Sequence, residues 1–177
     1  MAINFPEGTQ NYHSRIIQIQ TTNYGTAFTK SNTTWENTGL ECTITPTNEG
    51  NRILVLVNAN LQVNNNGNTS YFEAEAQYRL TASISGSTQN NPMYGGTQGY
   101  RLSNNGSNKK LFTAMSMQVG DGPFSGGGGG TSARTYRLQF GGGGGTFSIS
   151  INSQPFYHNT GANPNENSNI TCIEYEA

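Results

Sequence analysis

The chain has 177 residues and a formal charge of -1, and only 11% of them are Asp, Glu, Lys or Arg, against roughly 25% in an average soluble domain. A net charge this low separates it from disordered chains, and the length suits one core that removes about 70% of the unfolded surface from water. Lys109-Lys110 is the only adjacent basic pair, so there is no basic stripe for phosphates and nucleic acid is not expected as a partner.

The first thirteen residues, Met1 to His13, contain Pro6 and Gly8 and show no sustained alternation, which predicts an extended N-terminal arm. In an assembly such an arm anchors to a neighbour, with Ile3, Phe5 and Tyr12 as its contacts. The same stretch lacks the basic and apolar regions of a signal peptide, so export by the general route is not expected. Residues 14–177 are expected to form a single domain. Within it, alternation of apolar and polar residues, the mark of a half-buried strand, predicts strands at Ser14 to Thr21, Thr26 to Thr29 and Leu40 to Thr45.

The pattern is strongest in two longer segments. From Arg52 to Val63 the core face carries Ile53, Val55, Val57, Ala59, Leu61 and Val63; from Phe72 to Ile84 it carries Phe72, Ala74, Ala76, Tyr78, Leu80, Ala82 and Ile84. Good helix formers fill residues 72 to 80, but the period of two overrides their propensity. The Asn-rich stretch Asn64 to Thr69 between them predicts a hairpin or a neighbouring antiparallel pair. The longest apolar run, Ile53 to Val57, is far short of the roughly 20 residues that span a bilayer, so no membrane insertion is expected.

Further strands are predicted at Leu111 to Val119, Ser132 to Phe140, Thr146 to Asn152 and Asn169 to Tyr175, about nine in all, with no helix. Short strands divided by Gly, Asn and Pro turns indicate an all-β, jelly-roll-like antiparallel β-sandwich. An immunoglobulin-like sandwich is the competitor, but Trp35 precedes both Cys42 and Cys172, against the usual Cys, Trp, Cys order. The two cysteines are expected to be buried thiols rather than a disulfide.

Residues able to carry chemistry are scarce. Asp121 is the single Asp and lies in Gly120-Asp121-Gly122-Pro123, where a turn role in accepting local backbone hydrogen bonds is expected. His13 and His158 lack metal-ligand spacing. Glu73 and Glu75 share a strand face with Arg79 and read as a salt-bridge surface rather than an acid and base pair. No enzymatic activity, metal or cofactor is expected. Two five-glycine runs, Gly126 to Gly130 and Gly141 to Gly145, fit either loose loops or places where chains pack backbone to backbone. Trp35, Tyr94, Tyr100, Phe124, Phe156 and Tyr157 occupy turn-rich regions, where aromatics stack on sugars or fill oligomer interfaces.

Several segments in order, Ala2-Ile3-Asn4-Phe5-Pro6, Ser14-Arg15-Ile16-Ile17-Gln18, Thr38-Gly39-Leu40, Thr43-Ile44-Thr45-Pro46, Asn51-Arg52-Ile53-Leu54-Val55, Thr135-Tyr136-Arg137-Leu138 and Ile170 to Tyr175, carry a resemblance. Together they resemble virion structural proteins of marine and cyanobacterial tailed phages, of tail-fibre or capsid-decoration type. That resemblance implies a jelly roll, a homotrimer, and a place on the exterior of the virion's capsid or tail after synthesis in the host cytoplasm. It implies no catalytic residues. The expected partners are further copies of the chain, phage capsid or tail proteins and, in the alternative of a receptor-binding module, host surface glycans. The absence of a shaft or separate tip favours a capsid decoration or cement protein, or a short appendage.

Overall fold

The computed structural model describes residues 15–65, 74–85, 91–92, 98–102, 110–122, 130–144, 147–153 and 167–176. Along the chain the strands are β1 (Ile16–Tyr24), β2 (Phe28–Lys30), β3 (Glu36–Ile44), β4 (Arg52–Asn65), β5 (Ala74–Ile84), β6 (Asn91–Pro92), β7 (Gln98–Leu102), β8 (Lys110–Asp121), β9 (Arg134–Gly144), β10 (Phe147–Ile151) and β11 (Ser168–Tyr175). None of the described residues is helical, so no helix among them is long and apolar enough to cross a membrane.

All pairings are antiparallel and they build two sheets. In the first, β8 flanks β4 on one side; on the other, β11 pairs with Arg52 to Asn58 and β10 with Leu61 to Asn65, end to end. Strand β1 then closes the edge against β11, and β2 against β10. The second sheet runs β3-β9-β5, with β6 and β7 on the far side of β5. Leaving aside the short β2, β6 and β10, the first sheet holds the first, eighth, third and sixth strands, and the second holds the second, seventh, fourth and fifth. That wrapping is the jelly roll, in which nearly every connection crosses between sheets.

This topology corrects one expectation. β4 and β5 are not a hairpin, because β4 lies in the first sheet and β5 in the second. Both bury an apolar face, and the two faces meet more apolar surface across the sandwich than side by side. The period-two reading of the β4 face holds, and on β5 it holds at Tyr78 and Leu80, whereas Ala82 and Ile84 are half-buried and Thr81 and Ser83 of the other phase are buried. Ile53, Val55, Val57, Leu61 and Val63 on β4, Leu80 on β5, Tyr136, Leu138 and Phe140 on β9, and Ile149 and Ile151 on β10 share one buried cluster.

The second glycine run departs from the loose-loop reading. Gly141 to Gly144 extend β9, and Gly141 and Gly142 pair with Gln77 and Ala76 of β5. Ladder hydrogen bonds there offset the entropy that glycine loses in a strand. Gly126 to Gly129 of the first run lie outside the described residues. Asp121, expected in a turn, instead ends β8 and accepts a hydrogen bond from Tyr136 Oη at 2.8 Å, with Arg134 Nη1 3.7 Å away. Burial, and then the Asp121 charge, push the Tyr136 phenol well above its ordinary pKa, so it stays a neutral donor.

Candidate assembly surface

Alternation fixes which side chains leave the first sheet outward. Val55, Val57, Ile170 and Cys172 point into the core, so Leu54, Leu56, Thr171, Ile173 and Tyr175 point away from it. Register then sets them in rows across the sheet. One row is Ile19, Ile173, Leu54 and Gly120; beside it Ile16 stands opposite Tyr175, which stands opposite Arg52. Ile16 and Ile19 are 58% and 54% exposed, the large hydrophobics left most open among the described residues. The row ends flat at Gly120, where a side chain would meet nothing within 4 Å.

The next two rows of this face are neutral and mostly polar. Thr21, Thr171, Leu56 and Gln118 form one, with the Thr21 and Thr171 hydroxyls 3.0 Å apart; Asn23, Asn169, Asn58 and Ser116 form the next, where Asn58 Nδ2 donates to Asn169 Oδ1 at 3.3 Å. Charge falls at the rim, at Arg52 and the exposed Arg15–Glu176 ion pair of 3.1 Å at one end and, by its register position, at Lys110 at the other. An antiparallel sheet that faces water normally alternates to charged and polar groups on its outer side. A contiguous apolar row there is the mark of a contact surface.

The strand that carries Ile16 and Ile19 is fastened from beneath. Glu174 is fully buried, and its carboxylate accepts from Gln18 Nε2 at 2.6 Å, Asn51 Nδ2 at 2.7 Å, Thr47 N at 2.8 Å and Thr47 Oγ1 at 2.9 Å. Burial opposes ionisation, but the hydrogen bonds from Asn51, Gln18 and Thr47 outweigh it and hold the carboxyl below its ordinary pKa. Gln18 also donates to Thr45 O at 2.7 Å, and Tyr24 Oη donates to Thr38 O at 2.8 Å over Gly39, whose φ of 91° and lack of a Cβ leave room for the ring. These bonds join β1, the edge of the first sheet, to β3, the edge of the second.

The outer face of the second sheet is a ladder of polar side chains. Arg79 Nε donates to Gln139 Oε1 at 2.8 Å and Gln139 Nε2 to Asn37 Oδ1 at 2.7 Å; Arg137 Nε bonds Glu41 Oε2 at 2.7 Å, and Arg137 Nη1 bonds Ser83 Oγ at 2.5 Å. Trp35 lies on this face against Gly141, where a Cβ would stand 2.8 Å from the indole, and the Arg79 guanidinium sits 4.2 Å from the ring centroid. A face of the indole is therefore already covered by a cation. Arg79, read from sequence as part of a salt-bridge face with Glu73 and Glu75, bonds Gln139 and covers Trp35; the side chains of Glu73 and Glu75 lie outside the described ones.

Of the other residues singled out by sequence, Ile3, Phe5, Tyr12, His13, Glu73, Tyr94, Phe124, Phe156, Tyr157 and His158 lie outside the described residues. Tyr100 is placed by its backbone in β7 opposite Ala76, and Glu75 in β5 opposite Arg101. Sequence reasoning missed the apolar row and Glu174. Both had a signal: Leu54 and Leu56 interrupt the alternation of Ile53, Val55 and Val57, and Glu174 continues the inward phase of Ile170 and Cys172.

No family model and no curated protein matches the sequence. Among solved structures the chain is similar to one of infectious bursal disease virus, Gx strain, at 10% identity and a TM-score of 0.28, covering 99% of this chain and 42% of that one. It is similar also to a mutant VP2 protein of infectious bursal disease virus in T=1 particles, at 11% identity and a TM-score of 0.28, covering 99% of this chain and 40% of that one. The chain thus spans about two-fifths of the length of these structures. Superpositions this loose transfer nothing to it, and the jelly roll rests on its own strand order.

Proposed function

We propose that this chain is a non-enzymatic structural subunit of a tailed-bacteriophage virion, a homotrimeric capsid decoration or cement protein, or a short appendage, that meets a neighbouring copy through the outer face of its first sheet. The observation that carries the reading is the outward row Ile19, Ile173, Leu54 with Ile16 and Tyr175 beside it. A second copy fits this face better than a charged partner, because the face is uncharged inside its rim and its Thr and Asn side chains offer neutral donors and acceptors around the apolar row. The ordered resemblance of segments along the chain supports the virion assignment. In the alternative, a receptor-binding module for host glycans, Trp35 is the described aromatic that would stack on sugar, and the Arg79 guanidinium on its ring speaks against that use.

Light scattering coupled to size exclusion, on the intact chain at about 10 µM, tests the reading, since that concentration suits an obligate interface. The expected mass is three times the 19.1 kDa of one chain. A monomer at that concentration overturns the trimer, and a response of Trp35 fluorescence to host glycans would move the receptor-binding reading to first place.

A further inference from the structure

Cys42 and Cys172 reach the interior from opposite sheets, β3 and β11, and their residues are 2% and 0% exposed. Both are free thiols in one buried cluster. Cys42 Sγ donates to Gln20 O at 3.5 Å, and Gln20 is the register partner of Cys172 on the neighbouring strand, so the Cys42 sulfur hangs over the rung of the ladder that carries Cys172. Around them the ladder partners are Tyr136 beside Cys42 and Val55 beside Cys172. Interaction between the two thiols lowers the pKa of Cys42 to about 7 and raises that of Cys172, which favours one thiolate facing one thiol. The pair also lies near the open side of the sandwich, since β3 and β1 are edge strands and β11 is the strand next to β1.

We propose that Cys42 and Cys172 are an oxidisable pair, which stays dithiol in a reducing compartment and closes to an intersheet disulfide when local opening of the edge strands β1 and β3 admits a small-molecule disulfide. The Cys42 thiolate attacks one sulfur of the oxidant, forming a mixed disulfide and releasing one small thiolate, which takes up a proton. Cys172 then loses its proton and attacks the Cys42 sulfur, and the second small thiol departs carrying that proton. The pair is oxidised by two electrons, and the oxidant's S–S bond is reduced to two thiols. The new bond ties the edge strand of the second sheet to the first and closes a loop over most of the chain, the case in which a crosslink restricts the unfolded state most. This inference concerns the folded chain alone and does not depend on the proposed function.

The test uses the full chain, incubated at pH 8 with oxidised glutathione, in parallel with dithiothreitol, and repeated in a urea concentration below the unfolding transition so that the edge strands open. After alkylation under denaturing conditions, intact mass and peptide mapping read the outcome. The expected result is a monomeric chain lighter by two hydrogens, a Cys42–Cys172 crosslinked peptide, and a Tm raised by roughly 5–15 °C that dithiothreitol reverses. Oxidised glutathione leaves the Tm of the Cys42→Ala and Cys172→Ala variants unchanged. Two alkylated cysteines in both conditions, a persistent glutathione adduct, or chains crosslinked to one another would each overturn the proposal.

Discussion

Asn152 and Ser168 are joined twice through one amide oxygen: Asn152 Oδ1 accepts from Ser168 N at 3.2 Å and from Ser168 Oγ at 2.7 Å. The pair sits where β10 ends and β11 begins, against the one stretch of β4 that neither strand covers. There Asn152 N donates to Asn60 O at 3.0 Å, and Asn60 N donates to Ser168 Oγ at 3.1 Å, so the middle of β4 keeps its partners across the break. Asn152 Nδ2 reaches on to Tyr24 O at 2.5 Å and Thr26 O at 3.3 Å, at the matching break between β1 and β2. Its φ of 53° is a conformation that Asn tolerates far better than a branched residue.

Removing that amide orphans the buried Ser168 N–H and leaves the Tyr24 and Thr26 carbonyls without their side-chain donor. Asn152→Ala is expected to cost about 2–4 kcal/mol and Ser168→Ala about 1–3 kcal/mol, read by urea denaturation. Asn152→Asp keeps the acceptor and loses the donor, so its loss should be dominated by the Tyr24 and Thr26 carbonyls. Equal stability of the Asp and wild-type chains would show that Nδ2 contributes nothing.

Glu174 makes stability depend on acid. Its folded pKa lies below the ordinary carboxyl value of 4.5, so its contribution is fully present above that value and is lost as pH falls through the folded pKa. Glu36, held below its ordinary value by hydrogen bonds from Lys30 and Asn32, acts in the same direction. Denaturation midpoints measured from pH 7 to pH 2 should therefore decline below about pH 4.5 in the wild type, and less steeply in Glu174→Gln. Parallel profiles would remove Glu174 as a cause.

The Trp35 contact with Gly141 has a spectroscopic readout, because Trp35 is the single tryptophan. Gly141→Val places carbon where the indole ring now lies, at a cost of about 1–3 kcal/mol. The displaced indole should show red-shifted fluorescence, while Arg79→Ala should change its intensity with a smaller loss of stability. An unchanged spectrum in Gly141→Val would place Trp35 away from that glycine.

Ile19→Glu puts a charge in the middle of the apolar row at a position that is already exposed, so the fold of the subunit should survive. Association should weaken by a factor of about 100 or more, as for the loss of a central apolar anchor. Sedimentation or light scattering over a dilution series reads it, with circular dichroism as the control for folding. Association unaltered by this change would locate the contact on another face.

The strands were legible because their period of two is strong: Ile53 to Val63, Leu40 to Ile44 and Ile170 to Tyr175 all bury the phase that alternation assigns. What alternation cannot carry is pairing. It gave β4 and β5 an apolar face each but not the sheets they join, since a connection across the sandwich and a hairpin need the same turn residues. Strands β6 and β7 are too short and mixed in composition to stand out, and Gly141 to Gly144 join β9 although glycine has no strand preference, because β5 supplies a partner. The candidate surface was half legible. Its exposed Ile16 and Ile19 fall in the predicted first strand, but only the register through Ile173 and Leu54 makes a row of them.

The uncharged interior of that row has a thermodynamic consequence. With charge only at the rim, added salt has little to screen and should leave association nearly unchanged, whereas a contact built from ion pairs would loosen. Cooling acts the other way, because the gain from removing apolar surface from water shrinks at low temperature. Such an assembly would tolerate brine and come apart most readily in the cold.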